Sequence, residues 1–166
     1  MPKSFAPVAG SNPKILILGS MPGLASLKKQ QYYGHKQNQF WRLLGEVIGE
    51  NLTSMDYDER LASLKRRGIA LWAVLAECTR QGSLDCDIQD EAPNEIAKFL
   101  RDTGIKAVFL NGAKAHSVFQ AFIAEGLPSS VEVHKLPSSS PAHASLTFDE
   151  KLARWKTIAV FLFRRP

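Results

Sequence analysis

Four short apolar runs constrain this chain more than any other feature. KILIL (residues 14–18), IALW (69–72), AVFL (107–110) and VEVHKL (131–136) are rich in β-branched and long aliphatic side chains. Runs of this length read as buried strands. Helical patterns lie between them. In NQFWRLLGEVIG, Phe40, Leu43, Leu44, Val47 and Ile48 form the stripe of an amphipathic helix. In MDYDERLASLKRRG, Asp56 caps the start with Glu59 three residues on, and Gly68 closes the end. Pro93 suits the first turn of a helix in APNEIAKFLRDTG, and Gly104 its exit. AKAHSVFQAFIAEG predicts a further helix. The last helix is expected over residues 147–163, opened by Thr147 and Glu150 and burying Leu152, Trp155, Ile158, Ala159 and Leu162. Strands alternating with helices predict a three-layer α/β/α sandwich around a mostly parallel four-stranded sheet. The 166 residues fit one domain spanning 1–166, with no repeat, linker or boundary.

In open α/β sheets ligands bind beyond the carboxyl ends of the strands. The unusual segments of this chain all fall there: residues 19–41 after the first strand, 73–86 after the second, Asn111 and Gly112 after the third, and 137–145 after the fourth. GSMPG is a tight turn whose N–H groups could hold a carbonyl or oxyanion, or a turn and no more. It lacks the spacing of a dinucleotide or triphosphate loop. QQYYGHKQNQFW sets aromatics beside amides, as a pocket for a planar ring requires. Phe40 could stack on such a ring, with Tyr32 and Tyr33 as walls. Asn38, as donor and acceptor, could read a base edge or orient a water. Trp41 fits the helix core by its spacing to Leu44 and Ile48. His35 suits surface hydrogen bonding better than general-base duty. LPSSSPAHASL pairs serines with a histidine, yet no nucleophile elbow surrounds Ser20 or these serines, which disfavours a serine hydrolase. Hydroxyls in a Pro-bracketed loop suit phosphate contacts, with His143 near a phosphate or a departing group. Asn111 is either a helix cap or part of the crevice rim. Lys114 and the run Lys65-Arg66-Arg67 read as solvated.

A net charge of +5 and a pI near 9.3 favour a polyanionic partner. Cys78 and Cys86 match neither a zinc knuckle nor a redox pair, and two cysteines are too few for an iron–sulfur cluster. No cofactor and no metal are expected. No apolar run is long enough to cross a bilayer, and MPKSFAPVAGSNPK lacks the apolar stretch of a secretory signal, so a cytoplasmic, nucleoid-associated location and a monomer are expected.

Gly19-Ser20-Met21-Pro22-Gly23, then Gln31-Tyr32-Tyr33-Gly34-His35 with Asn38-x-Phe40-Trp41, then Gly82-Ser83-Leu84-Asp85, Asn111-Gly112 and Ser138-Ser139-Ser140-Pro141-Ala142 occur in one order. Together they resemble the uracil-DNA glycosylase superfamily, in particular its hypoxanthine-DNA (deoxyinosine) glycosylase branch. The resemblance covers nearly the whole chain. It implies a monofunctional glycosylase that flips a deaminated base, hypoxanthine or uracil, out of DNA and hydrolyses its glycosidic bond. It puts Asn38, Ser20 and His143 in catalytic positions, and Gly19, Met21, Tyr33, Phe40 and Asn111 around the base, with Phe40 as the stacking aromatic. It puts Ser138, Ser139, Ser140, Ala142 and His143 on the DNA, with no lysine poised for a lyase step. In this branch the second strand commonly ends Leu-Trp-Asp, whereas here it reads Leu71-Trp72-Ala73. A non-catalytic reader of damaged DNA is the competing expectation.

Overall fold

The computed structural model describes residues 3–80 and 88–163. The chain opens with β1 (Ile15–Gly19), α1 (Leu24–Lys29), α2 (Phe40–Ile48) and α3 (Tyr57–Arg66). It continues through β2 (Ile69–Ala73), β3 (Leu75–Arg80), β4 (Ile88–Pro93) and α4 (Ile96–Asp102). It closes with β5 (Ala107–Asn111), α5 (Ala113–Phe122), β6 (Glu132–Leu136), α6 (Phe148–Trp155) and α7 (Thr157–Leu162).

The four apolar runs form one sheet in the order β2-β1-β5-β6, and every neighbouring pair is parallel. Side chains alternate across it. Ile15, Ile17, Ile69, Leu71 and Phe109 face one core with Phe40, Leu43 and Leu44 of α2 and with Trp155, Ile158 and Leu162 of the last two helices. Leu16, Leu18, Ala70, Val108 and Leu110 face the other, with Ile96, Leu100, Val118 and Phe119 of α4 and α5. Continuous apolar runs are thus what a sheet covered on both faces demands, and the three-layer sandwich is the result. The caps behave as their residues imply. Asp56 accepts the Glu59 N–H at 2.9 Å, and Thr147 and Glu150 form a full capping box.

Five features depart from the sequence-based expectation. Residues after β2 are not simply a loop: β3 and β4 pair as an antiparallel hairpin with two register shifts, outside the main sheet. Its polar residues, among them Glu77, Asp90 and Glu91, obscure the strand period. Pro93 ends β4 opposite Leu75 rather than opening a helix. A residue without an N–H is tolerated at that terminal position. Glu95 stands at the N-cap position of α4 without a side-chain cap bond, and the chain leaves α4 through an extended Thr103, so Gly104 takes no left-handed conformation. The last helix is two: Ala159 N–H bonds the Lys156 carbonyl, a three-residue reach that tightens the ladder and separates α6 from α7. Leu152 and Ala159 are accordingly only partly buried. Finally, α1 interrupts the long segment after β1.

The N-terminal stretch protects the β2 edge. Val8 and Leu71 exchange backbone hydrogen bonds of 2.8 and 2.9 Å, and Trp72 Nε1 donates to the Phe5 carbonyl at 3.1 Å.

Candidate active site

Beyond the carboxyl ends of β1, β2 and β5 lies a cavity of about 690 Å³. Its walls come from residues 19–23, Tyr32, Tyr33, His35, Asn38, Ala73, Asn111, Lys114 and residues 138–143, among others. Four segments distant in sequence therefore meet at one place, because parallel strands all deliver their following loops to the same sheet end.

The first wall is the turn after β1. Its carbonyls are pinned from β2's continuation: Val74 N–H bonds the Gly19 carbonyl at 2.8 Å and Leu75 N–H the Ser20 carbonyl at 3.1 Å. Ser20 and Met21 are buried.

The second wall is aromatic. Tyr33 lies flat on Phe40, with ring centroids 3.7 Å apart and planes 9° apart. A Cβ added to Gly19 would come within 3.2 Å of the Tyr33 hydroxyl, so the glycine leaves room for the phenol to reach across. Tyr33 holds a left-handed backbone (φ 55°), uncommon for a residue with a side chain. The following Gly34 is fixed by an N–H bond to Ser26 Oγ at 2.9 Å and by Lys29 Nζ on its carbonyl at 2.7 Å. Tyr32 anchors the loop from below. It is buried, donates to the Ala6 carbonyl at 2.8 Å, and burial raises its phenol pKa far above the ordinary tyrosine value.

Asn38 stands at the start of α2. Its Oδ1 accepts the Phe40 N–H at 2.9 Å, an Asx turn that satisfies one of the helix's unpaired donors. This bond sets the amide orientation. Gln39 links the two loops: its N–H bonds the Ser139 carbonyl at 3.0 Å, and its Oε1 accepts from Lys151 at 2.9 Å. Lys151 is buried, which lowers its pKa from the ordinary lysine value.

The third wall is the serine loop, locked to β5. Asn111 Nδ2 donates to Ser139 Oγ and Asn111 Oδ1 accepts the Ser139 N–H, both at 2.9 Å and both buried. Ser138 Oγ accepts the Ser140 N–H, and Ser140 Oγ the Ala142 N–H, so these hydroxyls stiffen their own loop. Trp155 Nε1 holds the Pro137 carbonyl at 3.0 Å. His143 lines the cavity and sits 3.4 Å from Ser145 Oγ.

Comparison with known proteins agrees with this geometry. Residues 7–160 match the family model described as the uracil DNA glycosylase superfamily. The chain belongs to the uracil-DNA glycosylase superfamily. Within it the chain falls in the hypoxanthine-DNA glycosylase branch. It is 48% identical to a hypoxanthine DNA glycosylase of Methanosarcina barkeri over 115 residues, covering 68% of this chain and 72% of the relative. A hypoxanthine DNA glycosylase of Methanosarcina acetivorans is 37% identical over 157 residues, 94% and 96% of the two chains. A solution NMR structure from the latter organism, assigned as a candidate uracil DNA glycosylase, superposes with a TM-score of 0.84 at 36% identity, covering 98% of each chain.

For this superfamily member the structure brings together Gly19, Ser20, Met21, Tyr33, Asn38, Asn111, Ser138, Ser139, Ser140, Ala142 and His143 around one cavity. Phe40 is the correction. It has no exposed surface and lies behind Tyr33, so its ring supports the platform while Tyr33 faces the cavity. Asn111 is not a helix cap, since Gly112 occupies that position; the amide is spent on Ser139. Lys114 was expected in solvent and instead lines the cavity, paired with Glu91 of β4. Nothing in the local sequence signals that pair, because its partner is contributed by the unforeseen hairpin. His35 also reaches the cavity, with Nδ1 accepting the Gln37 N–H at 3.1 Å. Ala73 lines it too, so the departure at the end of β2 falls on the cavity wall. Residues 82–85 lie outside the described residues.

Proposed function

We propose that this DNA glycosylase extrudes a deaminated nucleotide, hypoxanthine before uracil, into the cavity and hydrolyses its N-glycosidic bond as a monofunctional enzyme. The observation that carries the reading is the convergence of Tyr33, Asn38 and the serine loop on one cavity wide enough for a purine nucleoside. The names of the two Methanosarcina relatives support hypoxanthine as the base.

The base stacks on Tyr33, which Phe40 backs. With Asn38 Oδ1 bound to the Phe40 N–H, its Nδ2 hydrogens are directed to a carbonyl of the base. The hydroxyls of Ser138 and Ser140, which accept within the loop and keep a hydrogen to donate, hold the flanking phosphates. The bond from C1′ to the base breaks first, leaving positive charge on the sugar and negative charge on the base. Asn38, His143 and the turn at Ser20 stabilise the departing base, and a water oxygen adds to C1′ as its proton is lost to solvent. Among the described lining residues no side chain is a carboxylate. Such a site relies on leaving-group stabilisation, which an oxocarbenium-like transition state permits. The lining lysine, Lys114, is engaged in an ion pair with Glu91 and is not presented to the cavity as a free amine for a Schiff-base step.

The test is excision from duplexes carrying one hypoxanthine or one uracil, read as alkali-labile strand breaks. Wild-type protein should break the hypoxanthine strand only after alkali. Asn38→Ala should lower the single-turnover rate by about 100-fold, the usual effect of losing one such stabilising donor, with an unchanged fold by circular dichroism. Near-normal excision by that variant defeats the assignment. Binding without breaks would make the protein a reader of damage instead.

A further inference from the structure

Lys114 and Glu91 make an ion pair at the edge of the cavity, each side chain about a quarter exposed (24% and 23%). The two come from different parts of the fold. Lys114 sits in the first turn of α5, which has no acidic residue there and no side-chain cap at Gly112. Glu91 belongs to β4, in the hairpin that stands apart from the main sheet. Lys114 shares the cavity with residues 138–143 of the serine loop. A duplex that delivers a nucleotide to this cavity must run its backbone along the same rim, within reach of an ammonium there.

We propose that Lys114 is a DNA-phosphate contact and that Glu91 is its built-in competitor, a carboxylate holding the place a phosphodiester takes on binding. The inference rests on the glycosylase reading above. The ammonium has three donors, but a phosphodiester set beside the Glu91 carboxylate places two anions against each other, and that repulsion drives the carboxylate off. When the phosphate arrives, Glu91 is set free and acquires a solvent counterion, which offsets the counterion that the phosphate releases. Lys114 therefore adds little net salt dependence and little affinity for undamaged DNA while Glu91 is present. Removing the carboxylate exposes the full contribution of one more phosphate contact, a change in the slope of log affinity against log salt of about 0.9.

The experiment is fluorescence anisotropy of an undamaged duplex titrated with full-length protein at several salt concentrations. Glu91→Gln should bind roughly fivefold tighter at low salt, the scale of a partly exposed ion pair, and its salt slope should steepen by about one. Lys114→Gln should bind no tighter than wild type, and Glu91→Gln with Lys114→Gln should match the lysine variant alone. Circular dichroism checks that each variant folds. Unchanged affinity and slope in Glu91→Gln overturn the inference. So does a double variant that keeps the gain, since Glu91 would then act through its charge alone and not through Lys114. Failure of the wild type to bind any duplex is a different result: it removes the glycosylase reading and this inference with it.

Discussion

Tyr33 and Phe40 divide between them a task that looked like one residue's. Tyr33 presents a face to the cavity, and Phe40, fully buried, supports it from behind. Their substitutions should therefore separate. Tyr33→Ala is expected to weaken productive base capture by about 1–3 kcal/mol, read as kcat/KM on a hypoxanthine duplex, with little change in Tm. Phe40→Ala should cost about 3–5 kcal/mol of stability in urea unfolding, as a truncated core aromatic does. The opposite pattern would return the stacking role to Phe40. The signal for its burial was present in the sequence, since Phe40 shares its stripe with Leu43, Leu44 and Val47. That Tyr33 takes the exposed place was not legible, because its left-handed backbone is held by Ser26 and Lys29 through Gly34.

At the level of elements, the junction of β5 and α5 positions half the cavity. Gly112 has φ 99°, and a Cβ there would lie 3.0 Å from Ser138 Cβ. Strain and collision act together, so Gly112→Ala should cost about 1–3 kcal/mol in chemical denaturation. It should also slow excision, because the serine loop has to move; full activity at reduced stability would show that Ser138 is not held to tolerance. Strands of the main sheet and helices α2 and α3 were readable because each period reports a burial pattern that the element itself carries. The β3–β4 hairpin was not, since LAECTR and IQDEAP hold neither a continuous apolar run nor a clear alternation. Pro93 reads equally well as a helix start and a strand end, and only the pairing with Leu75 decides.

Over the whole molecule, charge and pH couple to stability through a few placed groups. Ser63 Oγ donates to the Glu50 carboxylate and Arg67 pairs with it at 3.1 Å, which together hold its pKa below the ordinary glutamate value. A depressed folded pKa means the unfolded chain binds the proton first as pH falls. The stabilisation is thus complete above the ordinary carboxyl range and is lost as pH drops through the folded value. Glu50→Gln should flatten the fall of Tm between about pH 5 and pH 3; an unchanged acid limb would leave Glu50 without this role. What the sequence by itself determined is local: four strands, of which β1, β2 and β5 are buried and the edge strand β6 buries only Leu136, the amphipathic helices, two side-chain caps, and an ordered set of loop motifs that resembles one superfamily. Those follow from periodicity and capping chemistry, which act within a few residues. Only the tertiary structure decided that Asn111 locks to Ser139, that Tyr33 rather than Phe40 faces the cavity, and that Lys114 meets Glu91. Each depends on sheet order and crossover, which bring together residues far apart in the chain and leave no periodic trace in it.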